Sequence, residues 1–380
     1  MKTRNVRLTW LFSAWIATVG AMATAPTVAQ DSSPEADTKA LSASVDKALE
    51  FLRTRGQASD GSFSSQMGPA VTAIVVAGAL RHGRTMSEPL VAKGLKYLEG
   101  FVQQTGGIHA PKSKYQNYET CLCVMCFSAA NADHKYDELL KNADKFLKGQ
   151  QLDEKRGVEK SHPSYGGISY GSEGTRADLS LTHFLVEALK ETGNDYNSDS
   201  IQKALVFVSN CQNLEGPHNN TPFGAKINDG SFYYTPDIGG EGKKGADGGL
   251  RGYGSMTYAG LKSMIFAGVG PDDPRVKAAV EWAQKNYDLQ SNPGMGSAGL
   301  YYYYHLFSKA LDAVGEEQFK DAQGKVHPWR AELRQAVISR QAPNGSWVND
   351  NAKWMEGDPN LVTGYALLTL AYCRPDQVKK

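Results

Sequence analysis

The sequence predicts an all-α fold: six helix-pair repeats, with a ring of inner helices enclosed by a ring of outer ones. Two observations carry this. Amphipathic segments with apolar residues at i, i+3, i+4 and i+7 alternate along the chain with segments that are apolar on nearly every face. Between them, glycine loops recur at intervals of 46, 60, 63, 64 and 51 residues, counted from Gly61. A repeat on this scale takes precedence over any single motif as a guide to architecture.

The amphipathic segments come first in each pair. Their stripes are Leu41, Val45, Ala48, Leu49 and Leu52; Val91, Leu95, Leu98 and Val102; Leu139, Leu140, Ala143, Phe146 and Leu147; Ile201, Ala204, Leu205 and Val208; Val276, Ala279, Val280 and Ala283; and Trp329, Leu333, Ala336 and Val337. Each keeps a charged face for water, which places it outside. The partner segments cover residues 70–80, 121–130, 179–189, 256–266, 300–311 and 361–373. They have almost no solvated face and must be buried on nearly all sides. The loops read Gln57 to Asp60-Gly61-Ser62-Phe63, Gln104-Thr105-Gly106-Gly107-Ile108, Gln151 leading to Gly166-Gly167-Ile168, and Gln212 leading to Asp229-Gly230-Ser231-Phe232. The last two are Asn292-Pro293-Gly294-Met295-Gly296 and Gln341 to Asn344-Gly345-Ser346-Trp347. Glycine permits the positive φ of a tight turn.

Of 380 residues, 41% are hydrophobic and 21% charged, which suits one large core. Lys2, Arg4 and Arg7, an apolar stretch from Leu8 to Ala25, and small residues at Thr27-Val28-Ala29 read as a secretory signal over 1–29. An uncleaved anchor is the other reading of that stretch. Residues 30–40 are polar and predicted as a flexible lead-in, followed by the repeat domain over 41–375. The expected location is therefore secreted or periplasmic, with no membrane span after signal cleavage. Without residues 1–29 the balance is 38 basic to 40 acidic residues, and no basic stripe exists to bind nucleic acid. Cys121, Cys123 and Cys126 invite a metal reading, but at 3.6 residues per turn the first two point about 200° apart, so buried small hydrophobes are expected. No metal and no cofactor are predicted.

The loops resemble the Q-x-x-D/N-G-S-W/F repeats of squalene–hopene cyclases and the glycine-phenylalanine repeats of protein prenyltransferase β-subunits. Gln341 through Trp347 and Gln57 through Phe63 are the nearest copies. Ala177-Asp178-Leu179-Ser180, residues 254–260 and residues 299–305 resemble a group of bacterial exported prenyltransferase or squalene-oxidase repeat proteins. The resemblance covers roughly 41–373 and implies an (α/α)6 toroid with a central cavity. Two family signatures are missing. No D-x-D-D occurs; Asp272-Asp273 reads as a turn and N-cap. The zinc site of the prenyltransferases, D-x-C with a later His, has only Glu119-Thr120-Cys121 and His305 as its nearest counterpart.

In such a ring the inner helices run in one direction, so their N-termini gather at one end with aligned positive dipole ends. The predicted site lies there. Its catalytic candidates are Asp178, Tyr302, His305 and Asp358, and its ligand-binding candidates are Glu119 and Tyr258. Tyr118, Tyr253, Glu356 and Asn360 stand nearby in the pattern. Asp178 and Asp358 are also well placed as N-caps, the latter with Pro359 following. His183 reads as a core histidine. Four consecutive tyrosines, Tyr301 to Tyr304, point around a whole helix, so one or two must face the cavity. Tyr302 precedes His305 by three residues and shares its face.

Two classes of function follow. One is an enzyme working in a polar-aromatic cavity: an isoprenoid transferase or cyclase, by resemblance, or a polysaccharide lyase or hydrolase, by cavity chemistry. The other is a non-catalytic toroid that binds or scaffolds. The expected ligand is a small molecule, isoprenoid or glycan.

Overall fold

A computed structural model describes residues 34–236, 245 and 247–375. The signal segment expected over 1–29 lies outside the described residues. Helix α1 spans Pro34–Phe51, α2 Ala70–Arg81, α3 Pro89–Glu99, α4 Gln116–Ala129, α5 Asp137–Gln150, α6 Leu179–Glu191 and α7 Asp199–Asn210. After the short α8 (Gly224–Ile227) come α9 Gly254–Phe266, α10 Pro274–Lys285, α11 Leu300–Val314, α12 Trp329–Ile338 and α13 Pro359–Ala371. The one described sheet is a hairpin between α11 and α12, β1 (Phe319–Lys320) paired antiparallel with β2 (Val326–His327). The sequence pattern gave no sign of it.

The ring closes. Inner helices pack in the order α2, α4, α6, α9, α11, α13 and back to α2. Outer helices α1, α3, α5, α7, α10 and α12 each pack against the inner ring. The apolar-all-round segments are the inner ones, as their burial requires: every residue from Ala70 to Ala79 and from Leu361 to Ala371 is buried. Among the described residues no helix is long and apolar enough to cross a membrane.

One expectation needs correction. The segment 30–40 is helical from Pro34 onward, not a flexible lead-in. Glu35 and Asp37 lie in the first turn, where the helix dipole favours acids, and Asp37 pairs with the Arg334 guanidinium on α12. Polarity here marks an outer face rather than a tether.

The turns explain how repeats lock together. Gln341 Nε2 donates to the carbonyl of Gly345 in its own turn and to Ser44 on the next outer helix, both at 2.9 Å. Gln57 does the same to Gly61 (3.1 Å) and Leu90 (2.9 Å), Gln151 to Gly166 (2.7 Å) and Ser200 (2.8 Å), and Gln212 to Gly230 (3.2 Å) and Arg275 (2.8 Å). The turn glycine then rests on the carbonyl three residues further along that helix. A Cβ at Gly345, where φ is +93°, would strike the Lys47 carbonyl, and one at Gly61 (φ +92°) the Lys93 carbonyl. Glycine is needed twice over, for the backbone conformation and for the close approach.

A second link runs inward. The amide after the turn donates to a threonine hydroxyl at the start of the following inner helix: Phe63 to Thr72 (2.9 Å), Ile108 to Thr120 (3.0 Å), Ile168 to Thr182 (3.3 Å), Phe232 to Thr257 (3.1 Å) and Trp347 to Thr363 (3.2 Å).

Two turns depart from this scheme. In the second, the amide of Gln103 pairs with Gly107 as Ala342 pairs with Ser346, so the staple position falls on Val102, which is 43% exposed. Gln104, expected to open that loop's pattern, is not the counterpart. A groove of about 990 Å³ lies beside this turn, lined by Val102, Leu139, Asn142 and Phe146 among others. The fifth turn, Asn292 to Gly296, carries neither the glutamine nor the threonine link.

Removing the Gln341 amide strands two carbonyls at the junction that closes the ring. Gln341→Ala is expected to lower the unfolding free energy by about 1–3 kcal/mol with an unchanged helical circular-dichroism spectrum. In the opposite direction, Val102→Gln supplies the missing staple and is expected to add roughly 0.5–1.5 kcal/mol. Denaturant titration of both variants, with Val102→Ala as control, checks this; a stabilised alanine variant would show that the gain is not the hydrogen bond.

Candidate functional site

Helix α11 begins differently from its neighbours. Its N-cap is Gly299 at φ +65°, which offers no side chain to the orphan amides. Glu356, on the loop before α13, does so instead. Its carboxylate accepts from Tyr302 N at 2.8 Å, Tyr301 N at 3.3 Å and Asn349 Nδ2 at 2.6 Å. Desolvation pushes this carboxyl above the usual range, and the hydrogen bonds oppose it. Glu356 therefore sets the register in which the tyrosine run meets the cavity.

The four phenols then separate. Tyr303 donates to the Asp288 carbonyl at 2.7 Å and Tyr304 to Leu289 at 2.5 Å, so both tie the inner ring to the outer layer. Tyr301 is buried against Tyr304. Tyr302 points inward. Its hydroxyl lies 3.0 Å from Ser180 Oγ and 2.6 Å from His183 Nε2, both on the first turns of α6.

Around it stand aromatic rings from α4, α6, α13 and the loop before α6. Tyr302 neighbours Tyr365 at 5.9 Å and Phe184 at 6.3 Å; Tyr118 neighbours Phe184 at 5.8 Å and Tyr170 at 5.9 Å. Tyr118 and Tyr365 are in hydrogen-bonding contact, and so are Tyr170 and Tyr234. Tyr118, Tyr170 and Tyr302 lie deep below the surface, yet each keeps part of its ring accessible. Partly accessible rings at this depth mark a recess at the end of the ring where the inner-helix N-termini gather, the place expected for the central cavity.

Asp178 sits beside the Tyr170–Tyr234 pair. The carboxylate caps α6 through Leu181 N at 2.8 Å, as its N-cap position predicts, and is in contact with the Tyr234 hydroxyl. Burial pushes its pKa up from 3.8 to about 7, against the pull of the Leu181 amide, Tyr234 and nearby Arg176. A capping carboxyl is thereby also a group that titrates near neutrality.

Beneath Tyr302 the toroid is ionic. Glu187 on α6 pairs with both Lys262 on α9 and Lys309 on α11. Lys262 Nζ also lies 3.1 Å from His183 Nδ1. Desolvation drives the Lys262 ammonium well below its usual range, and Lys309 adds to the shift; Lys309 itself is lowered by burial. His183 is pushed well below 6.5 by burial and then by the two lysines, so its imidazole is neutral. A neutral imidazole has one donor and one acceptor nitrogen. With Lys262 donating to Nδ1, Nε2–H donates to the Tyr302 oxygen, and the phenolic proton is free to point at Ser180 or into the cavity. This tautomer is assigned from the donor count.

The other predicted residues are placed elsewhere. Tyr258 is fully buried, in ring contact with Tyr303 at 5.7 Å and Phe307 at 4.9 Å. Glu119 is engaged by the loop before its helix, accepting from Ala110 N at 2.7 Å and Ser113 Oγ at 2.5 Å. Asp358 caps α13 through Asn360 N and Leu361 N, each at 2.9 Å, and accepts from Ser64 Oγ at 2.7 Å. His305 is buried against Tyr365 at 5.8 Å with its Nδ1 unpartnered, and burial and Lys309 hold its pKa well below 6.5. Tyr302 and Asp178 are the two that lie against the cluster of tyrosines at the ring opening. The partner that sequence reasoning passed over is His183, taken for a core histidine. It is buried, but its two nitrogens connect the cavity to the ionic floor. Its spacing of four from Glu187 and five from Asp178 was the available signal.

The five cysteines are all buried and free, and burial raises each thiol well above its usual range.

The chain is similar to the type II terpene cyclase MstE from Scytonema without ligand, with a TM-score of 0.53 and 15% identity over 89% of this chain and 99% of that one. It is similar to a variant of that cyclase in complex with geranylgeranyl dihydroxybenzoate, its substrate, at TM-score 0.52 and 15% identity over 90% and 99% of the two chains. It is also similar to a polysaccharide lyase, at TM-score 0.50 and 11% identity over 91% and 98%. No protein-family model and no curated protein sequence matches the chain. At these identities the likeness carries the fold alone: an all-α, terpene cyclase-like toroid.

The raised pKa of Asp178 has a measurable consequence. The folded state holds a proton there between pH 3.8 and about 7 that the unfolded chain releases, so this group's contribution to stability is full at low pH and is lost as pH rises through 7. Asp178→Asn keeps an oxygen for the Leu181 amide and carries no charge. Its melting temperature relative to wild type is expected to rise steadily from pH 4 to 7 and then level off; a difference independent of pH would mean that Asp178 titrates normally.

Proposed function

We propose that the protein is a glycan-acting enzyme that cleaves its substrate by proton transfer in the central cavity, with Tyr302, assisted by His183, and Asp178 as the transferring groups. The single observation behind this reading is the placement of the Tyr302 hydroxyl: on a side chain that stays partly accessible, it lies 3.0 Å from Ser180 Oγ and 2.6 Å from an imidazole that is itself in contact with Lys262. A positioned phenol backed by an imidazole suits general acid–base catalysis. The surrounding tyrosines offer apolar faces and hydroxyls together, which suits the mixed faces of a sugar ring.

The ionic floor weighs against a prenyl substrate. A long hydrocarbon chain needs an apolar depth, and here the depth is occupied by Glu187, Lys262, Lys309 and His183. The chain also has no D-x-D-D to protonate an alkene. One structural neighbour is a polysaccharide lyase. We further propose that the chain is exported, with residues 1–29 as a cleaved signal; terminal sequencing of the mature protein should begin near Gln30, and an intact Met1 on soluble protein would refute this.

The test is incubation of the purified protein with a panel of polysaccharides, followed by size-exclusion analysis of the products. Wild type is expected to shorten at least one of them, at a rate that falls as pH rises above about 7, where Asp178 loses its proton. Tyr302→Phe should reduce the rate by roughly 10²–10⁴ and shift the melting temperature by no more than a few degrees. Turnover of a prenyl substrate with every glycan left intact would overturn the proposal, as would full activity in Tyr302→Phe.

A further inference from the structure

Arg176 stands two residues before Asp178, on the segment that also carries Tyr170. Asp178 is extended, with φ −138° and ψ 158°. The intervening Ala177 is fully buried, its carbonyl accepting from Thr235 Oγ1 at 2.8 Å and its amide donating to Ser164 Oγ at 3.2 Å. The charge of Arg176 is close enough to be felt by the Asp178 carboxyl.

The guanidinium is half-buried, and its Nε is buried with no hydrogen-bond partner among the described residues. Other half-buried or buried arginines here are engaged: Arg330 by Asp312 and Glu317, Arg275 by Asp273, and Arg334 by Asp37. A buried donor left unmade is costly, and Nε–H with an adjacent Nη–H forms the planar fork that matches a carboxylate.

Beyond the cavity the rim carries exposed aromatic side chains on opposite sides. Tyr115, 57% exposed at the start of α4, sits edge-on to Tyr170 at 5.7 Å. Trp354, 41% exposed, packs where a Cβ on Gly299 at the start of α11 would meet it. It is held there by a backbone in the left-handed region (φ 53°), followed by Met355 at φ 67°. Two successive non-glycine residues in that region are strained, and such strain persists where surrounding structure imposes it. Flat apolar surfaces outside the cavity fit a ligand longer than one ring.

We propose that the ligand is an acidic oligosaccharide, a chain bearing uronate carboxylates, and that Arg176 is the residue that recognises the carboxylate of the unit beside Tyr302. Asp178, protonated over part of the neutral range, does not compete for the guanidinium as a full anion would. The inward-facing N-termini of the inner helices add a field of the same sign. This inference rests on the glycan reading above.

The experiment compares polygalacturonate, its methyl ester and dextran as ligands for the purified protein by affinity electrophoresis. Wild type is expected to bind the acid about tenfold to a hundredfold more tightly than the ester or dextran, the range of one charge-assisted fork. Arg176→Gln should erase that preference, and Arg176→Lys should keep part of it. The acid–ester comparison on wild type stands even if the glutamine variant misfolds. Equal binding of acid and ester, or an undiminished preference in Arg176→Gln, overturns the role of Arg176 and leaves the glycan reading in place. Binding of a geranylgeranyl lipid with no glycan bound overturns both.

Discussion

The closed ring depends on one side-chain amide used repeatedly. Gln57, Gln151, Gln212 and Gln341 each donate to a carbonyl in their own turn and to a carbonyl of the next outer helix. The glycine beside each brings the turn backbone against that same helix one turn along. Helix faces in a toroid are curved and nearly equivalent, so apolar packing alone leaves the angle between neighbours free. Two directional hydrogen bonds and one close backbone approach define it. Gln341 matters most, because its second acceptor is Ser44, which joins the last repeat to the first.

Against that regularity, the fifth repeat stands apart. It has neither the staple nor the threonine link, and its inner helix starts from a glycine cap with a carboxylate borrowed from the sixth. That exchange frees the first turn of α11 to carry Tyr302 into the cavity instead of binding its own loop. The departure from local rules falls where the candidate chemistry lies, as happens when function takes precedence over consistency.

The ionic cluster below Tyr302 is the other expensive feature. Two lysines share one carboxylate among residues that are almost wholly buried. A well-packed apolar replacement is often as stable or more so, which makes such a cluster weak evidence of stability. Here it has a position: it places a buried polar cluster between α6, α9 and α11 beneath Tyr302, and it biases the tautomer of His183. The same arrangement orients the Tyr302 hydroxyl through His183.

Much of the fold was legible in the chain. The alternation of one-sided and all-round apolar helices names outer and inner layers, because burial on one face or on all faces is a property of sequence period. The turn glycines, and the N-caps at Asp178, Asp273 and Asp358, are local chemistry and were equally readable. The site was legible only in part. Which of four adjacent tyrosines enters the cavity is a matter of helix rotation, decided by Glu356 some 55 residues away. That His183 meets Tyr302, 119 positions along the chain, depends on ring closure. Glu119, Tyr258 and His305 share the composition of a site and are held elsewhere by local loops and core packing. Sequence period determines which side a residue faces; only the closed tertiary structure decides what it meets there, because convergence of distant first turns is a property of the ring and of no single repeat.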